Sequence, residues 1–384
     1  MSATATATGL SPARRAVGLL SGGLDSTLAM RLMQEQGIEV HAINFFTPFC
    51  NCNRAGRGCA AAYQGKKLGV PVKVRALGEE YLDVVRKPKH GYGSAMNPCV
   101  DCRILMYRKA AEHAKEIGAS FLVTGEVLGQ RPMSQRAGQM RTIEREAGVE
   151  GKVLRPLSAR LLPPTAPELE GVIDRQVMLE MQGRTRRPQM DLAAEKGIGD
   201  YPCPSGGCLL TDKAFARKLR DLFEHQERVS VPDVNLLKVG RHFRLSPSVR
   251  LVVGRNEVEN GWLETRPADV RLAALDAKGP VALYLGPVST DLLRLAASIV
   301  ARYSDAPKDR PARVGARRGG AEGSGEILCV RPADPAEVSC HQDPCAVESV
   351  GHRRSRSARA WDHRFTLTFE SPTVLSESHN WAEV

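Results

Sequence analysis

An apolar run from Arg15 to Leu20 stops at Ser21-Gly22-Gly23. Ser26 to Gln36 then carries apolar residues at helical spacing, and Glu39 to Phe46 reads as a strand again. Strand, glycine turn, helix and strand in that order predict a parallel sheet closed by crossover helices. The alternation continues with a helix over Val100 to Ile117 and a strand over Ser120 to Val123, which ends at Thr124-Gly125-Glu126. Lys152 to Leu157 reads as one more strand. Two prolines mark Leu161 to Thr165 as a loop, a helix is expected over Glu168 to Gln182, and Gly183 to Gly207, rich in Gly, Pro and Arg, reads as a functional loop around a short helix.

From Val229 the pattern changes. Leu236 to Val239, Arg241 to Leu245 and Val249 to Val253 predict short strands, and Thr290 to Arg302 predicts a helix. The organisation expected is therefore a disordered N-terminus over 1–14, an α/β catalytic domain over 15–223, a small α+β domain over 229–304 and a poorly structured tail over 305–384. Apart from the apolar island Ile327 to Val330, that tail is rich in Arg, Gly, Ser, Glu and Pro.

The 384 residues suffice for two or three domains with a proper core. No stretch of about 18 apolar residues occurs, so no membrane span is expected. The small, polar start has no apolar signal region, which points to a cytoplasmic protein. A net charge of +11 favours a polyanionic partner, although a merely basic surface would give the same figure. Ten cysteines, several in close pairs and with no export signal, suggest metal, cluster or redox chemistry rather than structural disulfides.

The most specific motif is Ser21-Gly22-Gly23-Leu24-Asp25-Ser26, between a strand and a helix. Its glycines let the backbone turn tightly and approach a ligand. Its N–H groups and the positive end of the following helix converge on one point. Ser21 and Ser26 carry hydroxyls, and Asp25 can orient Mg²⁺ or phosphates. The loop lacks the Gly-Lys-Ser/Thr ending of a Walker A motif and suits a pyrophosphate. It resembles the SGGxDS signature of the PP-loop ATP pyrophosphatases, of adenine nucleotide alpha hydrolase-like fold. The resemblance implies a parallel sheet with helices on both faces, and cleavage of ATP between its α and β phosphates.

Cys99 and Cys102 form a CxxC at a helix start, and Cys203 and Cys208 lie far downstream. A helix N-terminus and nearby arginines predict thiolate-rich cysteines. Three readings stay open from the residues: a four-ligand Zn²⁺ site, a redox dithiol of Cys99 and Cys102, or a [4Fe–4S] cluster held by three thiolates with one iron open.

Further motifs narrow the choice. Thr124 to Gln130 followed by Ser134-Gln135 resembles the TGExLGQxxSQ segment of tRNA 4-thiouridine synthases, with one extra residue before Ser134. Leu154-Arg155-Pro156-Leu157 resembles their LRPL strand. Cys102 in Asn97-Pro98-Cys99-Val100-Asp101-Cys102 resembles the first active cysteine of tRNA 2-thiouridylases, and Cys208 in Gly206-Gly207-Cys208-Leu209-Leu210 resembles the second. The resemblance implies ATP-dependent tRNA thiolation with Cys102, Cys208 and Asp25 as catalytic residues. It implies a cluster on Cys99, Cys102 and Cys208, with Cys203 a further candidate, and an adenylate pocket lined by Asn44, Phe45, Arg103, Gly125 and Gln135. It tilts the product toward 4-thiouridine, with 2-thiouridine the alternative. Residues from about Val229 to Ser304 resemble the small RNA-binding domain of NFACT proteins through Lys238 to Arg244 and Val253 to Asn256. No THUMP-like or rhodanese-like domain is evident, so sulfur is expected as free sulfide or from a separate carrier fed by a cysteine desulfurase. A homodimer is a possible assembly.

Other residues carry no fixed role. Cys50, Cys52 and Cys59 suit zinc or a plain Cys-rich loop. Cys329, Cys340, Cys345, His341 and His352 fall in the expected tail. His90 and Tyr92 sit in a Gly-rich loop near the CxxC. Arg184, Arg186 and Arg187 suit phosphate contacts or a solvated charge run. Two competing functions remain: a PP-loop ligase acting on a small molecule, which would not need the cysteines, and an RNA-binding or sulfur-carrier protein with a degenerate loop, which the intact Ser21–Ser26 motif disfavours.

Overall fold

A computed structural model describes residues 14–50, 59–199, 201, 208–319 and 325–342. The first sheet is five parallel strands: β1 (Arg15–Leu19), β2 (Glu39–Phe46), β3 (Val72–Ala76), β4 (Phe121–Thr124) and β5 (Val153–Leu154). Their order is β3-β2-β1-β4-β5. Alternation along the strands divides the core between the two faces. Ala16, Phe121, Val123 and Leu154 enter one apolar cluster with helix α1 (Leu24–Glu35), while Val17, Leu19, Leu122 and Val153 enter another beneath α4 (Cys99–Ile117). Helices α2 (Ala60–Leu68), α3 (Glu79–Arg86), α5 (Ala137–Ala147), α6 (Ala166–Leu169), α7 (Arg187–Glu195) and α8 (Lys213–His225) complete this part. The expected α/β fold with helices on both faces is borne out.

A second sheet is antiparallel, in the order β11-β10-β8-β9-β7-β6. It is built from β6 (Arg241–Ser246), β7 (Val249–Val253), β8 (Val270–Ala274), β9 (Val281–Leu285), β10 (Ala312–Arg318) and β11 (Gly325–Val330). Helices α9 (Val231–Leu236), α10 (Glu257–Glu264), α11 (Thr290–Tyr303) and α12 (Pro335–His341) accompany it. Arg244 joins this sheet to α8 through a two-pronged pair with Asp221, Nη2 to Oδ2 at 2.6 Å and Nε to Oδ1 at 3.2 Å.

Several expectations are corrected. Of the segment expected as one helix over Glu168 to Gln182, only Glu168 and Leu169, the end of α6, are α-helical, and the remainder is turns and a short 3₁₀ stretch at Arg175–Val177. Leu236 to Val239 is the end of α9 and a turn, because Ser230 caps a helix through a reciprocal Ser230–Asp233 box. The sheet also runs on past residue 304. In β10, Ala312, Val314 and Ala316 face inward between outward arginines, and the island expected at Ile327 to Val330 is part of β11. Residues 1–13 and 343–384 lie outside the described residues, and with them most of the N-terminal segment and the end of the tail, including Cys345 and His352.

Candidate active site

Strand order decides where a ligand fits. β2 lies on one side of β1 and β4 on the other, so a crevice opens beyond the carboxyl ends of β1 and β4. The loop from Ser21 to Ser26 occupies that edge. It is braced internally: Ser26 Oγ donates to Gly23 O at 2.9 Å, Ser21 N donates to Ser26 Oγ at 3.2 Å, and the two hydroxyls are 3.1 Å apart. Leu24 is fully buried in the core, so it offers the site only its backbone.

Two glycines are required here by close approach. Gly22 has φ +77°, and a Cβ on it would lie 2.5 Å from the carbonyl carbon of Ala60, at the start of α2. The space a Gly22 side chain would need is thus filled by the protein itself. A Cβ on Gly125 would lie 2.4 Å from both Asp25 C and Ser26 N, so the end of β4 abuts the start of α1.

The polar groups around this edge are incompletely satisfied. Asp25 Oδ2 accepts from Gln130 Nε2 at 3.2 Å, while Oδ1 is buried without a hydrogen-bond partner. Burial raises the Asp25 carboxyl above its ordinary value, against the opposing pull of Gln130, Arg186 and Arg131. Arg186 Nε and Gln135 Oε1 are likewise buried and unpartnered. Buried orphans of both signs beside a helix N-terminus fit a missing ligand that carries phosphates and a cation. Asn44 donates from Nδ2 to Leu20 O at 2.8 Å, and Phe45 packs between two apolar clusters at the end of β2.

Beneath the crevice lies a buried network that explains two motif residues. Glu126 Oε2 accepts from Tyr107 Oη at 2.6 Å and Arg155 Nε at 3.0 Å, and Arg155 also pairs with Glu144. Arg103 Nε sits 3.3 Å from Glu126 Oε1 without hydrogen-bond alignment. Burial pushes the Glu126 carboxyl up, but Arg103 and Arg155 together hold it below its ordinary value, so the group is a carboxylate. Arg155 of the LRPL segment therefore fixes the loop that follows Gly125.

The cysteines are gathered from three stretches of chain. Leu209 N donates to Phe49 O at 3.1 Å and Met96 N to Leu210 O at 3.0 Å, which ties the segments around Cys50, Cys99 and Cys208 together. Cys102 and Cys208 pack against one apolar cluster containing Phe49, Tyr81 and Met96. Burial first, and then the nearby thiols of Cys102, Cys208 and Cys50, push the Tyr81 hydroxyl well above its ordinary value. Cys50, which carried no assigned role, is thus a member of this group. It accepts from Thr47 N at 3.3 Å.

The expected thiolate character is corrected. Burial pushes the thiols of Cys99 and Cys102 up, outweighing the nearby arginines, and that of Cys208 up to about 12 against a backbone hydrogen bond from Leu210. Neutral, half-buried thiols suit a soft cationic group chemically, since loading it would release their protons. The described residues nevertheless include no three His, Cys, Asp or Glu arranged to hold a metal ion, and Cys203 lies outside them. The described cysteines are all free of disulfides.

Arg131, not singled out by any motif, lies near enough to act on both Asp25 and the Cys99 thiol. His90 is a strap: Nδ1 meets Asp101 Oδ1 and Nε2 meets Glu146 Oε1, each at 3.0 Å. Among the described residues no helix is long and apolar enough to cross a membrane.

Comparison with known proteins agrees with both resemblances read in the motifs. Residues 12–160 match the family described as thiamine biosynthesis protein (ThiI), and residues 240–341 match the NFACT protein RNA binding domain. The chain is similar to a "Probable tRNA sulfurtransferase" of Lysinibacillus sphaericus, 33% identical over 113 residues, which are 29% of this chain and 27% of that protein. It is also similar to "tRNA-specific 2-thiouridylase MnmA" of Trichlorobacter lovleyi, 28% identical over 149 residues, or 37% and 42% of the two chains. This chain therefore spans less than half the length of either relative. A 4-thiouridine synthetase in complex with RNA and ATP aligns over 58% of this chain and 52% of that one, at 22% identity and TM-score 0.33, too loosely to add to the fold read from the strand order.

Proposed function

We propose that this chain uses ATP and Mg²⁺ to activate a tRNA uridine and then replaces the activated oxygen with sulfur, forming 4-thiouridine. The observation that supports this most is the course of β2, whose Asn44 donates to Leu20 O beside the glycine loop and which runs on to Phe49, whose carbonyl accepts from Leu209 N next to Cys208. Nucleotide chemistry and sulfur chemistry then share one rim.

A uracil carbonyl is a poor electrophile because the ring delocalises its charge. Attack of the uridine O4 on the α-phosphorus breaks the α–β bridge and releases pyrophosphate. The loop N–H groups and the α1 terminus stabilise its charge, and Asp25 would hold Mg²⁺, which would supply further charge stabilisation there. Hydrosulfide then forms a C–S bond to the adenylated carbon, the C–O bond to AMP breaks so that AMP leaves with the original oxygen, and loss of the S–H proton leaves the thiocarbonyl. Cys102 and Cys208 are the residues we assign to sulfur delivery. Arg103, Asn44, Phe45, Gly125 and Gln135 are assigned to the adenylate pocket, with Arg103 oriented by Glu126.

Cys99, Cys102 and Cys208 would hold a [4Fe–4S] cluster, or Zn²⁺ in the alternative, and a cluster would supply an open iron for sulfide. Because the described residues do not form its ligand sphere, no step above runs through it. The domain that contains residues 240–341 is assigned to tRNA contact. Mass analysis of tRNA nucleosides from cells lacking the protein tests the reading. We expect 4-thiouridine to disappear. Loss of 2-thiouridine instead would move the modified atom, and an unchanged content of both would overturn the reading.

A further inference from the structure

A cleft of about 440 Å³ lies between the end of α3, the loop before Cys99 and the outer face of α8. Its basic wall is Arg86, Lys87 and Arg220, and its aromatic wall is Tyr92 and Phe223. The side chains of Lys87 and Arg220 have no hydrogen-bond or ion-pair partner among the described residues. Arg86 is committed to the fold: its guanidinium stacks over Phe223 at 4.7 Å and donates to the Gln226 and Glu227 carbonyls. Tyr92 is held by donation from its hydroxyl to Val85 O at 2.7 Å, which leaves its ring 38% exposed. Glu224 and Glu227 also line the cleft and are exposed. Met96, at the floor, belongs to the apolar cluster against which Cys102 and Cys208 pack.

We propose that this cleft binds a single-stranded segment of the RNA substrate, with Lys87 and Arg220 on its phosphates and one base stacked on Tyr92. The proposal rests on the tRNA reading above. Unpaired cations beside an exposed ring, itself held by donation from its hydroxyl to the Val85 and Arg86 carbonyls, are what a sequence-tolerant single-strand site requires. Its link through Met96 to the cluster that carries Cys102 and Cys208 would hold nucleotides that flank the reacting uridine, leaving the antiparallel domain to grip the body of the RNA. α8 begins only five residues after Cys208, fixed by Asp212, whose carboxylate accepts from Phe215 N at 2.7 Å. Arg220 is therefore carried by the helix that the turn after Cys208 starts, while Lys87 comes from the end of α3.

The test is the salt dependence of tRNA binding to the full chain, measured by filter binding for wild type, K87A/R220A and Tyr92→Leu. Two lost phosphate contacts lower the slope of log K against log salt by about 1.5, and at 0.1 M salt weaken binding by about thirtyfold. Tyr92→Leu weakens binding by about tenfold with the slope unchanged. ATP binding stays at the wild-type value in both, and the melting temperature stays so in K87A/R220A, whose side chains have no partner to lose. Wild-type affinity and slope in K87A/R220A would overturn the cleft while leaving the thiolation reading intact. A wild-type chain that binds no tRNA would overturn both. If K87A/R220A binds tRNA normally but fails only when sulfur comes from a protein donor, the cleft is a protein-docking surface and our proposal is wrong.

Discussion

Replacing Gly125 by alanine is the smallest perturbation that reaches the nucleotide site without touching a polar group. The added Cβ would stand 2.4 Å from Asp25 C and Ser26 N and 2.5 Å from Asp25 O, all backbone atoms. Ordinary contact begins near 3.4 Å, so the end of β4 and the start of α1 must part by about 1 Å. Overpacking of this kind costs about 1–3 kcal/mol when the fold absorbs it. The functional effect should exceed the stability effect. Parting these elements moves Asp25 and the first N–H groups of α1 away from the phosphates, and a displacement of about 1 Å costs on the order of a hundredfold in rate. The assay is AMP formation with tRNA and sulfide, run beside thermal unfolding. We expect G125A to fall about a hundredfold in AMP formation while melting only a few degrees lower. Wild-type turnover in a folded G125A would refute the claim that this contact sets the site.

Cys102→Ala and Cys208→Ala should each abolish thiolation and leave ATP binding intact, measured by nucleoside mass analysis and nucleotide titration; full thiolation by either would remove that residue from sulfur delivery. Asp25→Asn should lose Mg²⁺-dependent turnover by on the order of a hundredfold while melting as the wild type does, because Oδ1 has no partner in the protein to lose. Truncating Arg155 to Met should destabilise by about 3–5 kcal/mol in urea unfolding, since it strands the buried Glu126 and Glu144 carboxylates. His242 gives a pH signature. Burial, then Lys218 and Arg250, hold its imidazole well below the ordinary value of 6.5, so the folded state keeps it neutral where the unfolded chain takes a proton. Stability contributed by this site is present above pH 6.5 and falls as pH drops toward the folded value, by about 1.4 kcal/mol per unit. His242→Gln should flatten that fall, and an equally steep fall in the variant would assign it elsewhere.

How far the sequence carried depended on the kind of signal. β2 and α11 fall almost where periodicity put them, because both faces of β2 are covered and α11 has one clean apolar stripe. β10 was illegible: its inward residues Ala312, Val314 and Ala316 alternate with Arg313, Arg317 and small residues, a composition that reads as a basic tail until the partner strands are known. The helix expected after Glu168 failed for the opposite reason. Apolar residues there reach the core from turns, as Ile173 and Met178 do, without helical backbone. At the site, the glycine motif located the crevice and the CxxC located the thiols. Burial was not legible, so the thiols were expected to be ionised when desolvation holds them neutral. Cys50 and Arg131 escaped because neither has a spacing signature, and each joins the site only through tertiary contacts among remote segments.

The most direct measurement is stoichiometric. Purified protein is incubated with ATP, Mg²⁺, tRNA and sulfide under anaerobic conditions, and thiouridine, AMP and pyrophosphate are counted in the same tube. We expect one AMP and one pyrophosphate for each thiouridine formed. Thiouridine formed without AMP, or ATP cleaved with tRNA left unmodified, would contradict the coupling of the glycine loop to the thiols.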